Sequence, residues 1–92
     1  MILVDFHIPW CNHCKKLYPE YTKAADTLRQ HDPEYYLAKV DTFKNEALKK
    51  RFHIKHFPTL KLFKNGEEVE TYYGGHTEKE IVEYVLKKAS EM

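Results

Sequence analysis

Branched and aromatic residues crowd the start of the chain. ILVDFHI, residues 2–8, is a nearly continuous apolar run, the pattern of a strand covered on both faces and central in its sheet. From Cys14 the rhythm changes to three-and-four spacing, with Leu17, Tyr18, Tyr21, Ala24, Ala25 and Leu28 on one stripe, which predicts a helix ending near Gln30. Pro19 falls inside that helix, where it deletes a main-chain hydrogen bond and crowds the preceding turn, so a kink is expected there. Asp32-Pro33 marks a loop. YYLAKVD, residues 35–41, reads as a second strand, and the long helical connection makes the two strands parallel with a right-handed crossover. A short helix follows from about Asn45 to Phe52, with Leu48 and Phe52 one turn apart on a shared face. Beyond Pro58, TLKLF and VETYY flank Lys64-Asn65-Gly66-Glu67, and Asn-Gly between two such runs is the strongest short hairpin signal. Thr77 with Glu80 forms a capping box that opens a last helix, whose Ile81, Val82, Val85, Leu86 and Ala89 share one face.

Strand, helix, strand, helix, hairpin, helix builds an α/β domain: a mixed four-stranded sheet with three helices on its faces. With 92 residues there is no room for a second core, so one domain spanning 1–92 is expected. Composition then narrows the partners. Fifteen Lys and Arg against fourteen Asp and Glu leave a formal net charge of +1. No overall field steers the chain towards nucleic acid or anionic lipid, and neither is an expected partner. The longest uninterrupted apolar run, Met1–Val4, is far too short to span a bilayer or form a signal-peptide core, so no membrane insertion is expected. Opposite charges sit within the two strands that look most buried, Asp5 in ILVDF and Lys39 in YYLAKV. An unpaired buried charge is costly, and adjacency would relieve both. The alternative puts both at a solvent-facing sheet edge, and the pattern alone does not decide.

The two cysteines stand in WCNHC, as Cys11 and Cys14. They are too few for the disulfide framework of a secreted mini-domain. As a staple the pair is poor, because closing so short a loop contributes only about 2 kcal/mol of chain entropy. As a structural zinc site it lacks a second C-x-x-C, and His7, His53 or His56 would complete a set only by an accident of folding. C-x-x-C near a β-α-β pattern points instead to redox chemistry. With the helix beginning at Cys11, that residue takes first-turn geometry beside unsatisfied amide donors, at the positive end of the helix dipole, where thiolate is favoured. Cys14 falls on the apolar stripe, where desolvation favours the neutral thiol. The outer sulfur is therefore expected to attack and the inner one to resolve. Side chains three apart on a helix lie roughly 5–6 Å from each other, close enough for a disulfide after small adjustments. His13, between the two, would add positive charge beside Cys11 and strengthen the disulfide as an oxidant; the plainer reading is a solvated histidine at a helix start. Asp5, once desolvated, would accept the Cys14 proton through water, a role compatible with pairing to Lys39.

DFHIPWCNHCKKLYPEY, with LAKVD, FPTLKLFKNGE and YYGG following in order, resembles the thioredoxin superfamily, and within it the catalytic domains of protein disulfide isomerases. The resemblance covers nearly the whole chain. Such domains carry W-C-G-H-C, an acid six residues before the first cysteine, a lysine in the next strand, a helix-kinking proline and a cis-proline facing the disulfide. Those features fall on Trp10 to Cys14, Asp5, Lys39, Pro19 and Pro58. The resemblance implies an enzyme, a thiol–disulfide oxidoreductase and isomerase acting through a mixed disulfide, with Cys11–Cys14 as the redox-active disulfide and no cofactor or metal. It implies a paired Asp5 and Lys39, a cis Phe57-Pro58 peptide beside Cys11, a Phe57 main chain that pairs with an extended client, and Trp10 as an apolar contact for unfolded clients.

Three departures from the family pattern bear on the site. Asn12 replaces the usual glycine between the cysteines, where the intervening pair helps to set the reduction potential and meets the client. Lys55 stands three residues before Pro58, where relatives often have a mobile arginine that tunes the inner cysteine; lysine supplies the charge without the planar donor array. His53 and His56 occupy places where glycine is common. The N-terminal strand and helix usual for the fold are missing from these residues, which leaves YYLAKV as a bare edge and reads as a domain truncated at its N-terminus or excised from a larger protein. The partners implied are unfolded or folding cysteine-containing proteins and glutathione, in the endoplasmic reticulum lumen. The closing ASEM is no retention signal, so this placement follows from resemblance alone, with the cytoplasm as the alternative. Other functions stay open: a thioredoxin-like protein disulfide reductase, a client-binding chaperone module with incidental cysteines, and a dimer bridged by metal through one C-x-x-C from each chain.

Overall fold

The computed structural model describes residues 1–91. Its elements follow in the expected order: β1 (Ile2–His7), α1 (Asn12–His31), β2 (Tyr36–Asp41), α2 (Glu46–Arg51), β3 (Thr59–Lys64), β4 (Glu67–Tyr72) and α3 (Glu78–Glu91). The four strands form one sheet in the order β2-β1-β3-β4, with β2 and β4 at its edges. β1 and β2 are parallel because α1 spans the return path, and their register sets Asp5 opposite Lys39. β3 runs antiparallel to β1 and sets Thr59 opposite Phe6. The end of β1, which leads to the cysteines, and the start of β3, which follows Pro58, therefore lie at the same end of the sheet. The β3–β4 hairpin turns at Asn65-Gly66, with φ of 53° and 82°, a left-handed pair that asparagine tolerates and glycine enters freely.

Alternation along the strands sends Leu3 and Asp5 to one face with Leu60 and Leu62, and Val4 and Phe6 to the other. Over the first face α1 and α3 pack together, and Leu17, Leu28, Ile81 and Val85 close the core. Every one of the six leucine and isoleucine side chains in that set is at most 1% exposed. Burial of this kind stabilises by about 1.5–3 kcal/mol per side chain. The Tyr21 hydroxyl lies 2.7 Å from the Leu3 carbonyl oxygen and 2.8 Å from that of Ala38, so its one proton clasps α1 to both parallel strands. On the second face the short α2 and its flanking loop give the cover, with Phe52 wedged between Phe6 and Phe63 at centroid distances of 5.8 and 5.2 Å.

Three expectations are corrected. α1 begins at Asn12, and Cys11 is its N-cap, in extended backbone with φ −91° and ψ 116°. The buried stripe of α1 is Cys14, Leu17, Tyr21, Ala24 and Leu28. Tyr18 stands one position round the helix from Leu17 and is 54% exposed. β1 stops at His7 and β2 starts at Tyr36, each one residue inside the expected bound. Pro19 lies inside α1, which continues to His31. Thr77 caps α3: its hydroxyl receives the Glu80 amide (3.2 Å), and the Glu80 carboxylate reaches back to accept from that hydroxyl (2.7 Å). No described helix is long and apolar enough to cross a membrane.

Candidate functional site: a disulfide at the head of the first helix

Cys11 and Cys14 are joined in a disulfide, with their Cα atoms 5.2 Å apart. As N-cap, Cys11 offers its Sγ to the Cys14 amide at 3.0 Å, and its carbonyl oxygen accepts from Lys15 N at 3.1 Å. No acid occupies the first turn. The amide aimed at the Cys11 sulfur, together with the helix end behind it, favours negative charge on that sulfur once the bond opens. Cys11 is half-buried, whereas Cys14, on the core stripe of α1, is 8% exposed. The asymmetry expected from the spacing is present, with the outer sulfur placed at the cap instead of in the first turn.

Asp5 is 2% exposed, on the same sheet face as Leu3 and Leu60, and its Oδ1 has no hydrogen-bond partner. Burial lifts its carboxyl from 3.8 to about 7, and the nearby Lys39 charge pulls part of the way back. Lys39 is the register partner of Asp5, yet its side chain is exposed and its Nζ lies 3.6 Å from the centroid of the Tyr18 ring. Each alternative for these two charges thus holds for one member. The carboxyl is inside, the ammonium is outside, and the ion pairs among the described residues do not join them. Asp5, His7, Cys14, Tyr18 and Lys39 line one cleft of 410 Å³. The His7 imidazole is shifted down, first by burial, with Asp41 opposing and Lys39 adding to the shift. Tyr18 is the site residue that sequence reasoning missed. Its signal was there: it lies four residues after Cys14, which puts it on the flank of the helix facing the cleft.

The remaining candidates surround this end of the sheet. Trp10 is 61% exposed and meets the ring of Phe43 edge-on at 5.1 Å. Asn12 and His13 are exposed at the first two positions of α1. The loop after β2 is tied to the cysteine loop where the Thr42 amide and hydroxyl both donate to the His7 carbonyl oxygen, at 2.9 and 3.0 Å. Phe57-Pro58 is a cis peptide, and Phe57 is half-buried with Lys49 Nζ 5.9 Å from its ring centroid. Lys55 is exposed and lines a different cleft with His53, His56 and Pro58, so the structure does not bring it into the Cys14 cleft. No group of three or more His, Cys, Asp or Glu side chains is placed to hold a metal among the described residues.

A C-x-x-C disulfide heading the first helix of this sheet, with a buried acid behind the inner sulfur and a cis-proline at the head of the adjacent strand, defines a thioredoxin-type thiol–disulfide oxidoreductase site. The chain belongs to the thioredoxin family: the family model described as Thioredoxin matches residues 1–87. It is 49% identical over 90 residues to a protein disulfide-isomerase of Hordeum vulgare, a match covering 95% of this chain and 18% of that protein. The solution structure of the first thioredoxin domain of mouse protein disulfide-isomerase A4 is 41% identical with a TM-score of 0.82, over 94% of this chain and 61% of that one. Human ERp44 in crystal form II gives a TM-score of 0.92 at 30% identity, over 95% of this chain and 25% of that one. The chain therefore spans under a fifth of the curated Hordeum vulgare relative.

Proposed function

We propose that this chain is a catalytic domain of the protein disulfide-isomerase type, which oxidises and rearranges cysteines in folding proteins. The observation that carries the reading is the inequality of its two sulfurs: Cys11 at the helix cap with an amide donating to it, and Cys14 sunk into the core stripe beside Asp5. In the oxidised domain a client thiolate attacks the Cys11 sulfur. The client–Cys11 bond forms as the Cys11–Cys14 bond breaks, and Cys14 leaves as a thiolate that takes the proton of the neutral Asp5 carboxyl. A second client thiolate then attacks the client sulfur of the mixed disulfide, closing the client disulfide and releasing Cys11 as thiolate. Two client thiols are oxidised, and the same two electrons reduce the domain. Run in reverse, Cys11 opens a wrong client disulfide, and Cys14 resolves the complex after giving its proton to the Asp5 carboxylate. Alternation of the two directions is isomerisation, and glutathione or another thiol–disulfide couple restores the oxidised pair.

The other candidates serve this cycle. Lys39 offsets part of the desolvation of Asp5 and keeps its carboxyl near neutrality, where the proton moves in either direction. His13 and Asn12 flank the attacking sulfur and set the poise of the couple. Trp10, seconded by Phe43, offers apolar contact, and the Phe57 main chain pairs with an extended client. Pro58 holds that segment at the cysteine end of the sheet. The disulfide is itself the redox group, and the cycle calls on no metal or separate cofactor. The oxidising lumen of the endoplasmic reticulum is the compartment this chemistry fits.

Refolding of scrambled ribonuclease tests the proposal. Cys11→Ser should abolish turnover, and Cys14→Ser should accumulate client mixed disulfides; turnover surviving Cys11→Ser would reduce the domain to a binding module. Equilibration with glutathione separates the isomerase from a thioredoxin-like reductase, since potentials about 90 mV apart correspond to roughly 4 kcal/mol.

A further inference from the structure

Charge is unevenly spread along a chain whose total is close to neutral. Residues 44–56, KNEALKKRFHIKH, hold five Lys and Arg, two His and a single acid, Glu46. Residues 67–91 hold seven Glu against three Lys. The basic segment is α2 and the loop that delivers the chain to Phe57-Pro58, at the cysteine end of the sheet. Outside this segment three of the ten Lys and Arg are paired among the described residues, Lys23 with Glu20 at 3.7 Å, Lys61 with Glu68 at 3.1 Å and Lys88 with Glu70 at 3.0 Å. None of the five cations of 44–56 joins an ion pair among the described residues. Two of them are instead held against rings, Lys49 over Phe57 and Arg51 over Phe52 at 5.3 Å. Beyond α2 the segment opens into a cleft of 490 Å³ in which His53, Lys55 and His56 meet Pro58, Tyr72 and Tyr73. Lys61 at its floor is already neutralised by Glu68, and no acid lines the cleft.

We propose that this basic cleft, lined by Lys55 and His56 beside Pro58 and flanked by Lys49 over the Phe57 ring, is a client subsite that selects polypeptide segments carrying carboxylates close to the cysteine under exchange. The inference rests on the thiol–disulfide reading of Cys11–Cys14 and adds the class of client. A client strand laid along Phe57 runs its side chains out over these unpaired cations, which attract Asp and Glu and repel Lys and Arg. Tyr73, 90% exposed, stands on the far side, where a client aromatic residue can lie. The charges raise the encounter rate and fix the direction in which a client lies more than they hold it tightly.

The test compares matched disulfide peptides, one with glutamates flanking the cysteine and one with glutamines, with a small uncharged disulfide as a third substrate. Two or three exposed charge contacts predict a kcat/KM ratio of about five- to thirtyfold in favour of the acidic peptide. The ratio should fall close to one at about 1 M salt, where the Debye length is about 3 Å. The double variant Lys49→Glu, Lys55→Glu should move the ratio below one, and because each variant is its own reference, partial loss of folded protein does not disturb the reading. Equal rates on both peptides, while the small disulfide is exchanged, overturn the subsite and leave the function of Cys11–Cys14 standing. A preference that survives both high salt and charge reversal overturns it as well. Failure to exchange even the small disulfide defeats the redox reading and this proposal with it.

Discussion

The two faces of the sheet are finished to different standards. Beneath α1 and α3, Leu3, Leu60 and Leu62 meet Leu17, Leu28 and Ile81 with essentially no exposure to water. Beneath α2, Val4 and Phe6 look onto a groove of 420 Å³ bounded by Leu48, Phe52 and Phe63. The difference tracks the chemistry. Asp5 and Cys14 lie where that packed wall meets the 410 Å³ cleft, and burial against it lifts the carboxyl to about 7 and leaves the inner sulfur 8% exposed. The unpaired cations belong to the other face, where short α2 and its loop leave all but the half-buried Lys49 in solvent. Proton chemistry is housed at the margin of the packed core, and recognition on the side where the cations are unpaired.

Truncation mutants set the two faces against each other most directly. Leu60→Ala opens a cavity under two helices that cannot collapse onto it, with an expected loss of about 2–5 kcal/mol. Leu48→Ala, on a half-buried position of α2 beside an existing groove, should lose only about 1 kcal/mol. Denaturant unfolding of the oxidised protein measures both, and equal losses would erase the contrast between the faces.

Asp5 gives the next effect in size. Its folded carboxyl binds a proton more tightly than its unfolded one, so its contribution to stability is complete below the unfolded value of 3.8 and is lost as the pH climbs through about 7. The shift of about three units sets an upper bound of about 4 kcal/mol, and the open mouth of the cleft reduces the expected loss to about 1–3 kcal/mol. Asp5→Ala should therefore unfold at higher denaturant than the parent at pH 8 and lose that advantage by pH 4. His7 titrates with the opposite sign: its lowered pKa gives stability that is present at higher pH and lost on acidification below 6.5. Only the difference between parent and variant isolates the carboxylate, and a difference that does not vary with pH would show Asp5 to be ionised in the fold. The same substitution should slow resolution by Cys14 in single-turnover assays.

Much of this was legible in the residue order. Periodicity located all seven elements, because each strand and helix has an apolar set matched to its own repeat, and Asn65-Gly66 and the Thr77–Glu80 box punctuate the chain with local chemistry that tertiary packing does not override. The C-x-x-C spacing carried the cysteine asymmetry for the same reason, since a helix start fixes both sulfurs at once. The fate of Asp5 and Lys39 was not legible: both lie in strands, and which charge is buried depends on β1 lying inside the sheet and β2 at its edge. Tyr18 was misassigned because a tyrosine satisfies an apolar stripe and a cation equally well. The position of Lys55 outside the Cys14 cleft depends on the path of the loop after α2, which no periodicity encodes.

Tyr18 yields the smallest effect and the finest division between the faces, because it alone ties an exposed charge to the buried acid. Its ring holds Lys39 Nζ at 3.6 Å, above the cleft that Asp5 and Cys14 share. An exposed cation–π contact is worth about 0.5–1 kcal/mol. Tyr18→Leu keeps the cover but removes the ring, so Lys39 spends more time in solvent and opposes the desolvation of Asp5 less. The Asp5 carboxyl then moves further up, and the pH midpoint for Cys14 attack on a mixed disulfide rises with it. Below that midpoint the resolving step should slow by about two- to threefold. Tyr18→Phe retains the ring face and should follow the parent. Rapid-mixing measurement of the resolving step across pH reads the effect, and identical midpoints for the leucine and phenylalanine variants would make Tyr18 surface cover with no hold on the site.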